Sequence, residues 1–257
     1  MTILDRFRLD GEIALVTGGS KGIGRACAHA LADAGADIIV ASRTQADLEI
    51  VVGELEAKGR RAIAVPTDMG DIDAIRALYG AAKEKLGAPT IVINNVGGGG
   101  PNDPRAQDID NFEAQFHFNV ANAYLLTALA APGMEEAGRG AVINISSQAG
   151  VIAQKGFAAY GTAKAAMIQM TRNLAHDYAP TIRINAIAPG AVKTDALMKY
   201  LNDETEKLMA DKTPLARLAE AEDVAAAALY LASPASSYMT GRTLVLDGGA
   251  EWTTWPF

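Results

Sequence analysis

Tyr160 and Lys164 stand four residues apart in the run Tyr160-Gly161-Thr162-Ala163-Lys164, and Ser147 lies thirteen residues before the tyrosine. If this run is helical, the spacing stacks Tyr160 and Lys164 on one face. A phenol has an unperturbed pKa of about 10, too high for free proton exchange at neutral pH. A neighbouring ammonium favours the phenolate and lowers that pKa. So equipped, Tyr160 would give a proton to a carbonyl oxygen during reduction and take it back during oxidation. Ser147 would hydrogen-bond the same oxygen and orient it. Taken alone, a Tyr/Lys pair at this spacing is more often an ordinary helix-surface pair. It gains meaning from Ser147 and from a glycine turn far upstream.

That turn reads Thr17-Gly18-Gly19-Ser20-Lys21-Gly22-Ile23-Gly24. It follows an apolar run and opens a helix-like stretch, the context in which a glycine pattern signals a dinucleotide site rather than an ordinary loop. Gly18, Gly22 and Gly24 serve a tight turn, close backbone approach to a pyrophosphate, and close packing of helix on strand. The helix N-terminus turns free N–H groups and the positive end of its dipole toward the phosphates. Dinucleotide folds that prefer NAD carry an acidic residue about 20 residues further on, bonded to the ribose 2′-hydroxyl. Here the segment is Val40-Ala41-Ser42-Arg43-Thr44, with no carboxylate. Arg43, beside the hydroxyls of Ser42 and Thr44, suits an anionic 2′-phosphate, and Lys21 would add a second positive charge. One charge-assisted hydrogen bond would give roughly a ten- to hundred-fold preference for NADP(H), with NAD(H) the second choice. The competing reading has Arg43 capping the strand and pointing to water.

The elements that must position these residues are legible as alternation. Short, β-branched apolar runs fall at 13–16, 38–40, 62–65, 91–93, 141–145, 182–187 and 243–246. Such non-alternating runs suit strands buried on both faces of a parallel sheet. Stretches rich in Ala, Leu, Glu and Lys at 22–34, 45–58 and 72–86 read as helices. The pattern predicts an α/β fold, a Rossmann-type doubly wound sheet of about seven parallel strands with helices on both faces, joined by right-handed crossovers. No linker or repeat interrupts it, so residues 1–257 are read as one domain.

Composition narrows the partners. With 49% apolar and 21% charged residues the chain is an ordinary globular one. A net charge of -7 disfavours nucleic acid and anionic membranes, which leaves a small molecule as the expected partner. No apolar run reaches the ~18 residues of a membrane span. Asp5, Arg6, Arg8 and Asp10 stand where a signal peptide would be apolar, so the cytoplasm is the expected compartment. Cys27, the single cysteine, forms no intrachain disulfide, and its apolar setting reads as a buried structural thiol. His29, His117 and His176 lack metal-ligand spacing, so no metal is expected. Ser147 sits in no hydrolase-type Gly-x-Ser-x-Gly elbow.

Taken together, the glycine turn, Asn94-Asn95-Val96-Gly97, Asn119, Ser147, Tyr160 with Lys164, and Pro189-Gly190 resemble the short-chain dehydrogenase/reductase family over residues 13–249. The resemblance implies NADP(H)-dependent interconversion of a carbonyl and a secondary alcohol. It implies that Asn119 holds a water in a proton relay from Lys164 and that Lys164 bonds the nicotinamide ribose. Asp68 would meet the adenine amine with Met69 beside it, Asn94 would line the cofactor floor, and Val192 and Thr194 would contact the carboxamide. Ser42 occupies the family's usual acidic position, with Arg43 next. The family usually has alanine where Val96 stands, so the added methyl groups bear on cofactor affinity near the adenosine ribose.

The resemblance is nearest to members acting on hydroxysteroids at the 7α position, through the glycines before Pro101 and the segment Ala188 to Leu197. The 3-oxoacyl carrier-protein reductases are the alternative, with Arg139 and Arg172 as the basic residues such an enzyme would use for docking. A third reading, a non-catalytic NADP(H) sensor, is disfavoured by the intact Ser147, Tyr160 and Lys164. Substrate contacts are expected from 148–154, Phe157 and an apolar lid after Pro189, with Gly97 to Pro101 a mobile loop beside the cleft. The tail Glu251-Trp252-Thr253-Thr254-Trp255-Pro256-Phe257 is expected to pack at an interface of a homotetramer, the assembly the resemblance implies, or near an active site.

Overall fold

Each apolar β-branched run becomes a strand. In the computed structural model, which describes residues 2–256, β1 (Ile13–Thr17), β2 (Asp37–Ser42), β3 (Ala62–Pro66) and β4 (Ile91–Asn94) are separated by α1 (Gly22–Asp33), α2 (Gln45–Ala57) and α3 (Ile72–Lys85). Helices α4 (Ile109–Phe116) and α5 (Asn122–Glu136) lead to β5 (Gly140–Ile145), and α6 (Ala158–Asp177) leads to β6 (Ile182–Pro189). Then α7 (Asp195–Met198), α8 (Asp203–Asp211) and α9 (Ala221–Ala232) precede β7 (Thr243–Leu246). The predicted helices at 22–34, 45–58 and 72–86 each run one residue too far, into the C-cap. Apolar patterning does not mark where a chain leaves helical geometry.

The strands form one seven-stranded sheet in the order β3-β2-β1-β4-β5-β6-β7. Every neighbouring pair is parallel. On β1, Leu15 pairs with Ile39 of β2 on one side and Val92 of β4 on the other. Successive residues face opposite ways, so Val16, Ile38, Val40 and Ile93 join Leu31, Leu48 and Val224 in one core layer. Leu15, Ile39, Val92 and Val142 join Ile75, Leu78, Leu126 and Leu174 in the other. Both faces are covered, which is why the strands read as continuous apolar runs. The strand order reverses between β1 and β4. In open sheets of this kind the crevice beyond the carboxyl ends of the strands at such a reversal is where ligands bind. No helix among the described residues is long and apolar enough to cross a membrane.

Candidate functional site

Beyond the carboxyl ends of the strands lies a cleft of about 600 Å³. Strand β5 ends at Ile145 and carries Ser146 and Ser147 into it, while α6 presents Tyr160 and Lys164. The helix is pinned to the strand end, because the Ser146 hydroxyl donates to the Lys164 carbonyl at 2.9 Å. The Lys164 side chain, only 2% exposed, donates from Nζ to the Ile145 carbonyl at 2.9 Å and lies 5.8 Å from the Tyr160 ring centre. Ser147 Oγ accepts the Ala149 amide at 3.2 Å, which leaves its own proton available to donate. The predicted one-face arrangement of Tyr160 and Lys164 is therefore present.

The electrostatics differ from the spacing argument. Tyr160 is half-buried, and burial holds the phenol above its ordinary pKa. A hydrogen bond with Ser147 partly offsets this. Burial also lowers the Lys164 ammonium to about 7. A lysine that is only partly charged at neutral pH cannot pull the phenol down as a full cation would. Desolvation thus outweighs the neighbouring amine, and the phenol is shifted up rather than down.

Asn119 is fully buried and sits in a π-helical stretch, His117–Ala121, between α4 and α5. Such stretches recur at functional sites because they re-aim side chains. Its Oδ1 accepts the Gly98 amide at 2.9 Å, and its Nδ2 donates to the Gly98 carbonyl at 3.0 Å and the Gln115 carbonyl at 2.9 Å. The loop from Gly97 is thereby held at both polar groups of Gly98, against the expectation of a mobile segment there. A Cβ at Gly97 would stand 2.6 Å from Asn119 Oδ1 and 2.8 Å from Lys164 Nζ, so only glycine lets the backbone pass between them. Gln115, whose Oε1 also accepts from Asn119 at 3.2 Å, was not among the predicted residues. Its only sequence signal is a position one helical turn before Asn119.

The glycine turn fits a dinucleotide phosphate. Lys21, the N-cap of α1, makes no side-chain capping bond, so the first amides of that helix have no side-chain partner. A Cβ on Gly24 would collide with the Gly18 carbonyl oxygen, and one on Gly18 would stand 2.6 Å from Asn95 Nδ2. Asn95 donates its side-chain amide to the Thr17 carbonyl at 2.9 Å, and the Asn95 and Val96 amides both bond Thr17 Oγ1. Thr17, given no role of its own by the glycine pattern, thus joins the ends of β1 and β4. Ser42 Oγ is buried without a hydrogen-bond partner. Such a group is rare unless a ligand completes it. These features fit a nucleotide, for which Ser20, Gly22 and Ile23 would meet the phosphates and Ser42, Arg43 and Thr44 would stand at the end of β2.

Lys21 lines the cleft, and the surroundings of the other expected residues differ. The Lys21 ammonium pairs with Asp47 at 2.8 Å, so its charge is partly neutralised within the chain. Arg43 is exposed. Asp68 is exposed and accepts the Gly70 amide at 2.9 Å, while Met69 is buried. Asn94, expected on the cofactor floor, is instead buried behind it. Its Nδ2 donates to Asn144 Oδ1 at 2.8 Å, and Asn144 donates on to Thr171 of α6 at 2.9 Å. The alternation of β4 turns this side chain inward, so it braces α6 against the sheet. Pro189, Gly190, Val192 and Thr194 line the cleft, and Thr194 caps α7 by accepting the Leu197 amide at 3.4 Å. Arg139 precedes β5, at the opposite end of the sheet from the cleft, and pairs with Glu12 at 2.8 Å. Arg172 lies roughly 18 Å along α6 from Tyr160 at 1.5 Å per residue. These two arginines make no docking patch beside the site.

A family model described as enoyl-(acyl carrier protein) reductase matches residues 18–251. The chain belongs to the short-chain dehydrogenase/reductase family. Within this family it is 49% identical over 249 residues to an uncharacterized oxidoreductase of Mycobacterium tuberculosis, covering 96% of this chain and 95% of the relative. It is 38% identical over 246 residues to the 7α-hydroxysteroid dehydrogenase of Escherichia coli K12, covering 95% and 96%. A 7α-hydroxysteroid dehydrogenase solved with NADH and 7-oxoglycochenodeoxycholic acid superposes with a TM-score of 0.91, at 38% identity, over 97% of this chain and 98% of that one. A gluconate 5-dehydrogenase of Burkholderia cenocepacia solved with NADP and tartrate superposes with a TM-score of 0.90, at 31% identity, over 97% and 98%. The chain is accordingly an oxidoreductase of this family, related to hydroxysteroid dehydrogenases.

Proposed function

We propose that the protein interconverts a carbonyl compound and a secondary alcohol with NADP(H), and that Tyr160 carries the proton. The observation that carries this reading is that Ser147, Tyr160 and Lys164 share one cleft, with the Ser147 hydroxyl oxygen taken up by the Ala149 amide and its proton directed by no hydrogen bond to the backbone. When bound, the nicotinamide supplies the hydride in reduction and accepts it in oxidation. Ser147 donates to the substrate oxygen and orients it. Tyr160, a phenol that burial holds all the more firmly in its protonated form, gives that oxygen its proton as negative charge develops there. In the reverse direction the phenolate takes the alcohol proton. Lys164 would bond the nicotinamide ribose, and Asn119 would return protons to Tyr160 through a water.

The preference for NADP(H) rests on Arg43 and the orphaned Ser42 hydroxyl at the end of β2. The Lys21–Asp47 pair shifts weight onto Arg43. The resemblance to hydroxysteroid dehydrogenases favours a ring-bearing apolar substrate. We further infer a cytoplasmic homotetramer. The exposed Ile109, Phe112 and Phe116 on α4 and Tyr124 on α5 offer apolar surface for subunit contact, and light scattering that gives a monomer would remove the tetramer. The function is tested by a kinetic panel of NADPH and NADH, each against steroid ketones, 3-oxoacyl thioesters and small aldehydes. Turnover is expected with steroid ketones and NADPH. Tight NADPH binding without turnover of any carbonyl would overturn the reading in favour of a sensor.

A further inference from the structure

The two tryptophans of the chain lie three residues apart and meet opposite environments. Trp252 is 80% exposed, whereas Trp255 is half-buried and forms part of the cleft wall. The indole of Trp255 stands nearly perpendicular to the Phe157 ring, at 85° and 5.3 Å between centroids. Phe157 in turn meets Tyr160 edge-on, with centroids 6.1 Å apart. Offset and edge-to-face pairs are the favoured ring geometries. A continuous aromatic strip therefore runs from the phenol to the C-terminal tail.

The tail is fastened to the same strand end that carries Ser147. Gln148, only 3% exposed, donates to the Ala250 carbonyl at 2.6 Å and to the Asp247 carboxylate at 3.3 Å. Thr254, the residue just before the indole, is itself buried at 4% exposed. Leu197, Tyr200 and Met209 also line this cleft and add aliphatic and aromatic surface. On the side of the cleft formed by Phe157 and Trp255, a ring system bound beside Tyr160 would meet aromatic surface, while Lys164, Asp195 and Lys199 line other parts of the cleft.

We propose that Trp255 is a substrate-specificity residue, its indole forming the wall against which the ring system of a cyclic ketone or alcohol packs, out of reach of small acyclic carbonyl compounds. This rests on the carbonyl–alcohol reading above. The first test compares kcat/KM for a decalone and for butanone, with NADPH, in the wild type, Trp255→Ala and Trp255→Phe. The decalone-to-butanone ratio is expected to fall at least about ten-fold in Trp255→Ala, the scale on which apolar pocket contacts discriminate substrates, and to recover largely in Trp255→Phe. An unchanged ratio in Trp255→Ala would overturn the proposal. The second test needs no turnover, so it separates this proposal from the catalytic reading. In Trp252→Phe, Trp255 is the only indole, and titrating decalone in the presence of NADP+, which has no hydride to give, should quench its emission saturably. Emission that does not respond to decalone would overturn the proposal even if the enzyme reduces other ketones.

Discussion

The Lys164 ammonium nitrogen lies 5.8 Å from the centre of the Tyr160 ring and is held there by the Ile145 carbonyl at 2.9 Å. Burial lowers this lysine from 10.5 to about 7. Between those values the unfolded chain holds the proton and the folded chain has released it. Stability therefore rises with pH across that window. Below pH 7 both states are protonated, and the cost of burying the charge is fully present. The stability of the wild type relative to Lys164→Met should shift toward the wild type as pH rises from about 7 to 10, read by urea midpoints at fixed salt. A gap independent of pH would mean that Lys164 keeps its ordinary proton affinity.

Arg43→Asp should reverse the coenzyme preference. The exposed guanidinium stands beside a buried hydroxyl that lacks a partner. Replacing it with a carboxylate removes a charge-assisted hydrogen bond to a 2′-phosphate and adds repulsion. The ratio of kcat/KM for NADPH over NADH should fall by about ten- to a hundred-fold. An unchanged ratio would take Arg43 out of the account.

Gly24→Ala and Gly53→Ala should move stability in opposite directions. At Gly24 the added methyl meets the Gly18 carbonyl oxygen, and at Gly53, on the exposed side of α2, it meets nothing within 4 Å. Overpacking of the first kind costs about 1–3 kcal/mol. An alanine in an open helix interior gains about 1 kcal/mol over glycine. Thermal melts of the two variants check both signs, and nucleotide binding should weaken only in Gly24→Ala.

Cys27 should be silent to thiol reagents in the folded protein. It is fully buried, and burial pushes its thiol up to about 12, so the reactive thiolate is scarce near neutral pH. Labelling should appear only in denaturant. Rapid native labelling would contradict the packing of α1 on the sheet.

The strands and the first three helices were legible because burial on both faces leaves unbroken apolar runs and because helix patterning has its own period. The Tyr160/Lys164 face and the glycine turn were legible because their chemistry fixes a local spacing. Asn94 was misplaced because the direction of its side chain depends on strand alternation and on Asn144 and Thr171, distant in the chain. Lys21 and Asp47 are 26 positions apart, and their pairing is invisible until α1 and α2 are packed. The upward shift of Tyr160 was hidden for a similar reason. Spacing reveals a neighbouring amine but not how deeply both groups are buried. In the tail, Trp255 packs beside the cleft while Trp252 is exposed in the single chain, a division that spacing alone does not signal.

Proton transfer by Tyr160 is tested by the rate of NADPH oxidation by Tyr160→Phe with a carbonyl substrate that the wild type reduces. The phenylalanine keeps the ring that Phe157 and Lys164 contact and removes only the hydroxyl. A fall in kcat of about a hundred-fold or more is expected, with NADPH affinity retained. A variant that turns over at the wild-type rate would contradict proton transfer by Tyr160.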